Sequence, residues 1–177
     1  MISLDGYFEG PDHDISWHNV DREFNTVHAI PMLAQTDTII FGRRTYELMA
    51  SYWPTKQAKN DDTLVAKYMN QTPKIVFSHK LNAIKWQNTK LINHHAFQQL
   101  RKLKASPGKN IILLGSNNLA VGLMSVGLID EFRIMINPIV IGGGTSLFTG
   151  LSKPVNLRLI KTRKFKNGNI LLTYSPR

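Results

Sequence analysis

Three short apolar runs, at residues 37–42, 74–78 and 110–115, end on small or polar residues, and two of them pass directly into helical spacing. Such runs read as buried strands, because a strand covered on both faces has no polar side to alternate with. Residues 43–50 follow the first run as a helix. Residues 97–104 form a second helix, with Pro107-Gly108 as its stop, and 118–126 a third, which Gly127 ends. A short strand is expected at 90–93 and a long one at 129–141, bent at Pro138. Two closing runs, 157–165 and 170–174, flank Asn167-Gly168, a pair suited to a tight hairpin turn. Strand–helix alternation followed by a hairpin specifies an α/β chain. Its expected form is a mostly parallel central sheet flanked by helices, with a C-terminal antiparallel hairpin. No repeat or linker interrupts the 177 residues, so 1–177 reads as one domain. Residues 54–63, rich in Lys, Asn and Asp, read as an exposed loop.

Composition removes other classes. Hydrophobic residues make up 42% and charged residues 19%, which excludes a disordered, collagen-like or coiled-coil chain. There is no cysteine, so no disulfide framework or thiolate zinc site can form, which fits a reducing compartment. The longest apolar runs are about five to seven residues, too short to span a bilayer, and no signal-peptide pattern opens the chain. A soluble, cytoplasmic protein is expected.

The net charge is +10 and uneven: residues 1–60 hold 8 acidic and 5 basic side chains, residues 61–177 hold 4 and 17. Such a field attracts nucleic acid, anionic lipid or a phosphorylated cofactor. Lys161, Arg163, Lys164 and Lys166 form the one tight basic group, in a strand-like segment where they suit a solvent face. Only Phe165 lies among them as a stacking aromatic, which argues against a nucleic-acid surface.

In open α/β sheets ligands bind beyond the carboxyl ends of the strands. Gly42-Arg43-Arg44-Thr45 and Gly115-Ser116-Asn117-Asn118 both stand at such ends. A glycine there admits close backbone approach, and the helix start offers free N–H groups and a positive dipole end. Arg43 and Arg44 add bidentate donors, and Thr45 adds a hydroxyl. The third strand end, Ser78-His79-Lys80, supplies a hydroxyl, an imidazole and a cation. Together these suit a ligand with several phosphates. Neither glycine loop matches G-x-G-x-x-G or the P-loop pattern, and a glycine at a strand–helix junction also serves an ordinary turn.

Gly42-Arg43-Arg44-Thr45-Tyr46-Glu47 after an apolar strand resembles the pyrophosphate-binding segment of dihydrofolate reductases. More closely, the chain resembles the riboflavin-biosynthesis reductase C-terminal domain family and its small stand-alone bacterial members. The resemblance runs through Ser3-Leu4-Asp5-Gly6-Tyr7, Asp14-Ile15-Ser16-Trp17 and residues 37–47. It continues in Gly127-Leu128-Ile129-Asp130-Glu131, Pro138-Ile139-Val140-Ile141-Gly142-Gly143-Gly144 and Leu147-Phe148. It implies a dihydrofolate-reductase-like fold, NADPH as cofactor, a pterin-like or ribosylaminopyrimidine substrate and a homodimer, with Ile134, Met135 and Ile136 as interface or core residues. It also implies that Gly42, Arg43, Arg44 and Thr45 hold the pyrophosphate, and that Ser78 with His79 or Lys80 faces the 2′-phosphate. Gly115, Ser116, Asn117, Asn118 and Leu119 would form the second glycine loop, where Ser116 replaces the family's second glycine. Family members carry an apolar strand ahead of the Ser3–Tyr7 segment, and this sequence begins two residues before it; without that strand the sheet loses a central partner.

Reduction of a C=N bond needs a proton as well as a hydride. Asp21 and Glu23, four and six residues after Trp17, are the catalytic candidates, and both also suit a helix start as dipole-complementing charges. Asp5, Phe8, Trp17 and Gly143 are substrate-side candidates; Asp5 equally suits the Asp5-Gly6 turn, Trp17 a core anchor, and Gly143 a plain turn. No metal site is expected. A nucleotide-binding relative without chemistry, and a nucleic-acid-binding protein, are the alternative readings.

Overall fold

The computed structural model describes all residues 1–177. In chain order it contains β1 (Tyr7–Glu9), a 3-10 turn (Pro11–His13), α1 (Arg22–Phe24), a π-helical stretch (Asn25–Ala29), α2 (Ile30–Ala34) and β2 (Thr36–Gly42). There follow α3 (Arg43–Tyr52), α4 (Lys56–Asp61), α5 (Thr63–Gln71), β3 (Lys74–Phe77), β4 (Thr89–Ile92), α6 (Ala96–Lys104) and β5 (Asn110–Leu113). The chain ends with α7 (Asn117–Ser125), β6 (Phe132–Ile136), β7 (Thr145–Ser146), β8 (Leu157–Lys164) and β9 (Ile170–Pro176). The elements divide into two compact units, residues 25–119 and residues 1–24 with 120–177.

In the first unit the three apolar runs are neighbouring strands. The sheet order is β4-β3-β2-β5, every pair parallel, with Gly42 opposite Phe77 and Phe77 opposite Ile92. Ile39, Phe41 and Val76 are fully buried, which explains why β2 and β3 show no polar alternation; β5, expected to be buried, is instead a half-buried edge strand of this sheet. Trp86 packs on the rings of Phe41 and Tyr46, at 6.0 and 6.3 Å between centroids. Lys74, at the start of β3, is buried as deeply as its apolar neighbours. Its ammonium donates to the carbonyls of Met69 (2.9 Å), Asn70 (3.1 Å) and Thr72 (2.7 Å) and lies 4.6 Å from the Trp86 ring centre. It thus closes the C-terminal end of α5, where carbonyls lack partners and the dipole favours a cation.

Residues 54–63 are exposed apart from the buried Ala58 and half-buried Asp62, and they are not a loop. Thr55 caps α4 through Ala58 N–H, and Asp62 caps α5 through the amides of Leu64 and Val65. These two caps start helices in a stretch whose polar composition alone suggests none.

In the second unit β6-β9-β8 form an antiparallel sheet, and β1 pairs with β7. The predicted long strand at 129–141 is shorter, because pairing stops at Ile136. Asn137 N–H turns away to the Ile2 carbonyl, Pro138 has no N–H, and Ile139 N–H folds back onto Asn137. Gly127, at φ +66°, ends α7, with Leu128 N–H bonded to the Leu123 carbonyl as expected for a left-handed cap. The hairpin closes at residues 165–169 with Gly168 at φ +90°. Phe165 is buried there, 6.3 Å from the Phe24 ring. The basic residues of β8 line an almost wholly exposed edge strand, where charge discourages edge-to-edge pairing. No helix is long and apolar enough to cross a membrane.

Candidate functional site

The two glycine loops stand at the carboxyl ends of neighbouring strands β2 and β5, and they are tied to each other. Gly42 N–H donates to Ser116 Oγ (2.9 Å), and Ser116 N–H donates to Thr45 Oγ1 (3.0 Å). Ser116 Oγ passes its own hydrogen to the Leu114 carbonyl (3.2 Å). The Ser116 hydroxyl is therefore spent within the protein, whereas Thr45 still has a hydrogen to donate. Gly115 and Ser116 both adopt left-handed backbone, at φ +58° and +56°. At Ser116 a side chain occupies a conformation that favours glycine, and the clasp holds it there.

No side chain caps the N-terminus of α3, and its first turn carries no acid. Arg43 and Arg44 occupy its first two positions instead, half-buried and exposed respectively. Cations at the positive end of a helix dipole are unfavourable by some tenths of a kcal/mol each, and an anion between them reverses the sign. Arg43 pairs with Glu47 at 2.7 Å, an exposed contact of little worth in itself.

The β3 end adjoins that of β2. Ser78 Oγ accepts from Lys80 N–H (3.1 Å) and Leu81 N–H (3.0 Å), so its hydroxyl hydrogen is left to donate. His79 and Lys80 are exposed beside it. Asn117 and Asn118 open α7, and Leu119 packs beneath Gly42, with its Cβ 3.9 Å from where a Gly42 Cβ would stand. The residues expected to seat phosphates are thus assembled in one unit. The donor set fits a phosphorylated dinucleotide such as NADPH: an uncapped helix start, two guanidinium groups and two hydroxyl hydrogens without acceptors.

The remaining candidates lie in the other unit, and most hold backbone. Asp21 Oδ1 accepts from Phe24 N–H (2.7 Å), as a helix cap does, and Glu23 Oε2 accepts from Lys166 N–H (2.9 Å). Asp5 accepts from the amides of Ile141 (3.3 Å) and Gly142 (2.8 Å). The Ser3 hydroxyl and then these amides hold its carboxyl below the ordinary range, so it stays an acceptor. Trp17 is half-buried, its Nε1 donating to the Asp14 carbonyl (3.1 Å), and Phe8 is half-buried in β1. A Cβ on Gly143 would meet nothing within 4 Å, so that backbone is open to approach.

Sequence reasoning missed three features. Glu9 accepts from Thr145 Oγ1 (2.9 Å) and His13 Nδ1 (2.8 Å), tying β1 to β7. His18 packs edge-on against Trp17 at 4.4 Å with its Nε2 buried and unpartnered, and burial pushes its pKa down to about 4. His94 stands with its ring centre 5.5 Å from that of His79. The Glu9–Thr145 tie joins residues far apart in the chain, and the approach of His79 to His94 follows from the pairing of β3 with β4, neither of which a local pattern announces.

Comparison with known proteins adds to this geometry. Residues 1–171 match the family described as the RibD C-terminal domain. The chain is 33% identical over 173 residues to the uncharacterised protein YyaP of Bacillus subtilis, covering 98% of this chain and 90% of that one. A putative riboflavin biosynthesis protein from Shewanella sp. PV-4 superposes with a TM-score of 0.75 at 22% identity, covering 99% of this chain and 95% of the other. Dihydrofolate reductase from Enterococcus faecalis, complexed with NADP(H), superposes with a TM-score of 0.54 at 14% identity, covering 79% and 74%. At these identities the structural likeness is one of fold.

Proposed function

The chain belongs to the RibD C-terminal domain family, and from that premise we propose that it is an NADPH-dependent reductase. Its substrate would be a pterin-like, dihydrofolate-type molecule or a ribosylaminopyrimidine, reduced by hydride transfer. The observation that carries this reading is the start of α3, uncapped and headed by Arg43 and Arg44. A bound pyrophosphate would satisfy both the free N–H groups and the misplaced cations. The NADP(H) complex of the E. faecalis dihydrofolate reductase, which shares the fold, supports it.

Arg43, Arg44 and the first turn of α3 would hold the pyrophosphate, with Thr45 donating its hydroxyl. Ser78, His79 and Lys80 would take the 2′-phosphate. Gly115, Asn117, Asn118 and Leu119 would form the second wall, with Ser116 holding the two loops in register rather than touching the ligand. The nicotinamide, when bound, supplies the hydride. Trp17, Phe8, Asp5 and Gly143 stand as substrate-side candidates, and Glu23 or Asp21 as the proton source.

The test is twofold. Arg43→Ala and Arg44→Ala should each weaken NADPH binding by about tenfold, the worth of a charge-assisted contact. Unchanged affinity in both variants contradicts the placement. Loss of NADPH absorbance should follow addition of dihydrofolate or a ribosylaminopyrimidine. Glu23→Gln keeps an acceptor for Lys166 N–H but cannot give up a proton. It should lower turnover while leaving the melting temperature near that of the parent protein; unchanged turnover in both Glu23→Gln and Asp21→Asn would exclude these two as proton source.

A second reading is a nucleotide-binding relative without chemistry. It is favoured by the backbone amides that Asp21 and Glu23 already hold. Binding of NADPH without its consumption by either substrate class would select it.

A further inference from the structure

Two imidazoles meet at the carboxyl edge of the parallel sheet. Phe77 pairs with Ile92 across β3 and β4, and Ser78 N–H donates to the Ile92 carbonyl (3.1 Å), which carries the register one residue past the strands. His79 and His94 therefore leave the sheet side by side, with ring centres 5.5 Å apart and planes tilted by 52°. His95, in left-handed backbone at φ +58°, brings a third ring 6.4 Å from that of His94. All three rings are exposed, as is Lys80.

The surrounding edge is cationic or donor-bearing throughout. Reading across the sheet from β4 to β2, the strand ends supply Asn93-His94-His95, Ser78-His79-Lys80 and Arg43-Arg44-Thr45, with no acid among them. The acid paired to this edge is Glu47, on Arg43. Imidazoles this close repel each other when protonated, and a shared anion turns that repulsion into attraction. A tetrahedral phosphate monoester has enough acceptor oxygens to take an N–H from each ring, the ammonium of Lys80 and the Ser78 hydroxyl hydrogen.

We propose that His94, together with His79, forms an imidazole half of the seat for the adenosine 2′-phosphate, and so sets the preference for NADPH over NADH. This rests on the reading of the unit as a dinucleotide site and adds a specificity-determining residue from a strand end that the sequence left unassigned. His94 and His79 touch the phosphate directly; the pyrophosphate seat at α3 lies one strand further along the same edge.

The probes are 2′,5′-ADP and 5′-ADP, titrated calorimetrically into the full chain. The parent protein should bind 2′,5′-ADP more tightly. In His94→Ala the ratio of the two affinities should fall by about fivefold to tenfold, and further in the double His79→Ala, His94→Ala variant. Both side chains are exposed, so the variants should keep the parent's melting temperature. An unchanged ratio in His94→Ala and in the double variant overturns the proposal while leaving the dinucleotide site standing. Equal affinity of the parent protein for both probes overturns it as well. If the parent protein binds neither probe, the proposal and the cofactor reading fail together.

Discussion

Ser116 replaces freedom with a bond. Its left-handed backbone costs a non-glycine residue about 1 kcal/mol or more, and its hydroxyl recovers this by accepting from Gly42 and donating to Leu114. Ser116→Ala should retain the strain and lose the clasp, lowering stability in urea unfolding by about 2 kcal/mol. Ser116→Gly should lose less, because it relieves the backbone. Equal loss in the two variants would show that the backbone conformation carries no cost. Gly144 is constrained for a different reason: at φ +129°, a Cβ there would collide with the Glu9 carbonyl and the Gly10 backbone. Gly144→Ala should therefore destabilise the protein far more than Gly143→Ala, whose Cβ meets open space. Comparable melting temperatures for the two would contradict this close approach. The sequence shows three glycines in a row with nothing to tell them apart, since the distinction is made by a backbone more than a hundred residues away.

At the scale of elements, strands β2, β3 and β5 and the helices after β2 and β5 were legible, because apolar runs and glycine stops are local signals; that β5 is a half-buried edge was not, since strand order is not local. The end of β6 was not, since it depends on Asn137 turning its amide to Ile2. Helices α4 and α5 were hidden by composition, although their caps, Thr55 and Asp62, are residue types that start helices. The strand-end residues proposed to seat phosphates were legible as residue types in order; the clasp that spends the Ser116 hydroxyl was not. Lys74 reads as an ordinary charged start to a strand, yet it is a buried cap on α5. Burial lowers its pKa to about 8, against an ordinary value of about 10.4. Between those values the unfolded chain holds the proton that the folded chain has released, so stability should rise as pH increases from about 8 to about 10.4. His18 acts at the acid end: with a folded pKa of about 4 against about 6.5 unfolded, stability should fall as pH drops through that window. Urea midpoints measured across both windows check the two slopes. Lys74→Met should abolish the alkaline rise and destabilise the fold by about 3 kcal/mol or more, having left three helix-end carbonyls without a donor. A Lys74→Met variant that keeps the alkaline slope would assign that slope elsewhere.

At the scale of the whole chain, the excess of 17 basic over 4 acidic side chains in residues 61–177 has two uses. Part of it lines the exposed edge strand β8. Another part, Lys80, stands at a strand end where phosphates are expected, beside Arg43 and Arg44 from the N-terminal third of the chain. Family resemblance also implies a homodimer. Of the three residues expected at its interface or in the core, Met135 is buried within its own unit, and Ile134 and Ile136 are half-buried. Sedimentation equilibrium should find twice the chain mass of 20.1 kDa, and a monomer would remove the dimer from the account. On the function proposed above, the glycine loops and the basic strand ends form one seat for a phosphorylated dinucleotide. Titration with NADPH and with NADH, followed by tryptophan fluorescence, tests it most directly. NADPH binding should be saturable and at least about tenfold tighter than NADH binding, the contribution of one charged phosphate contact set. Binding of neither nucleotide would contradict it, leaving a reductase fold whose seat serves another anion.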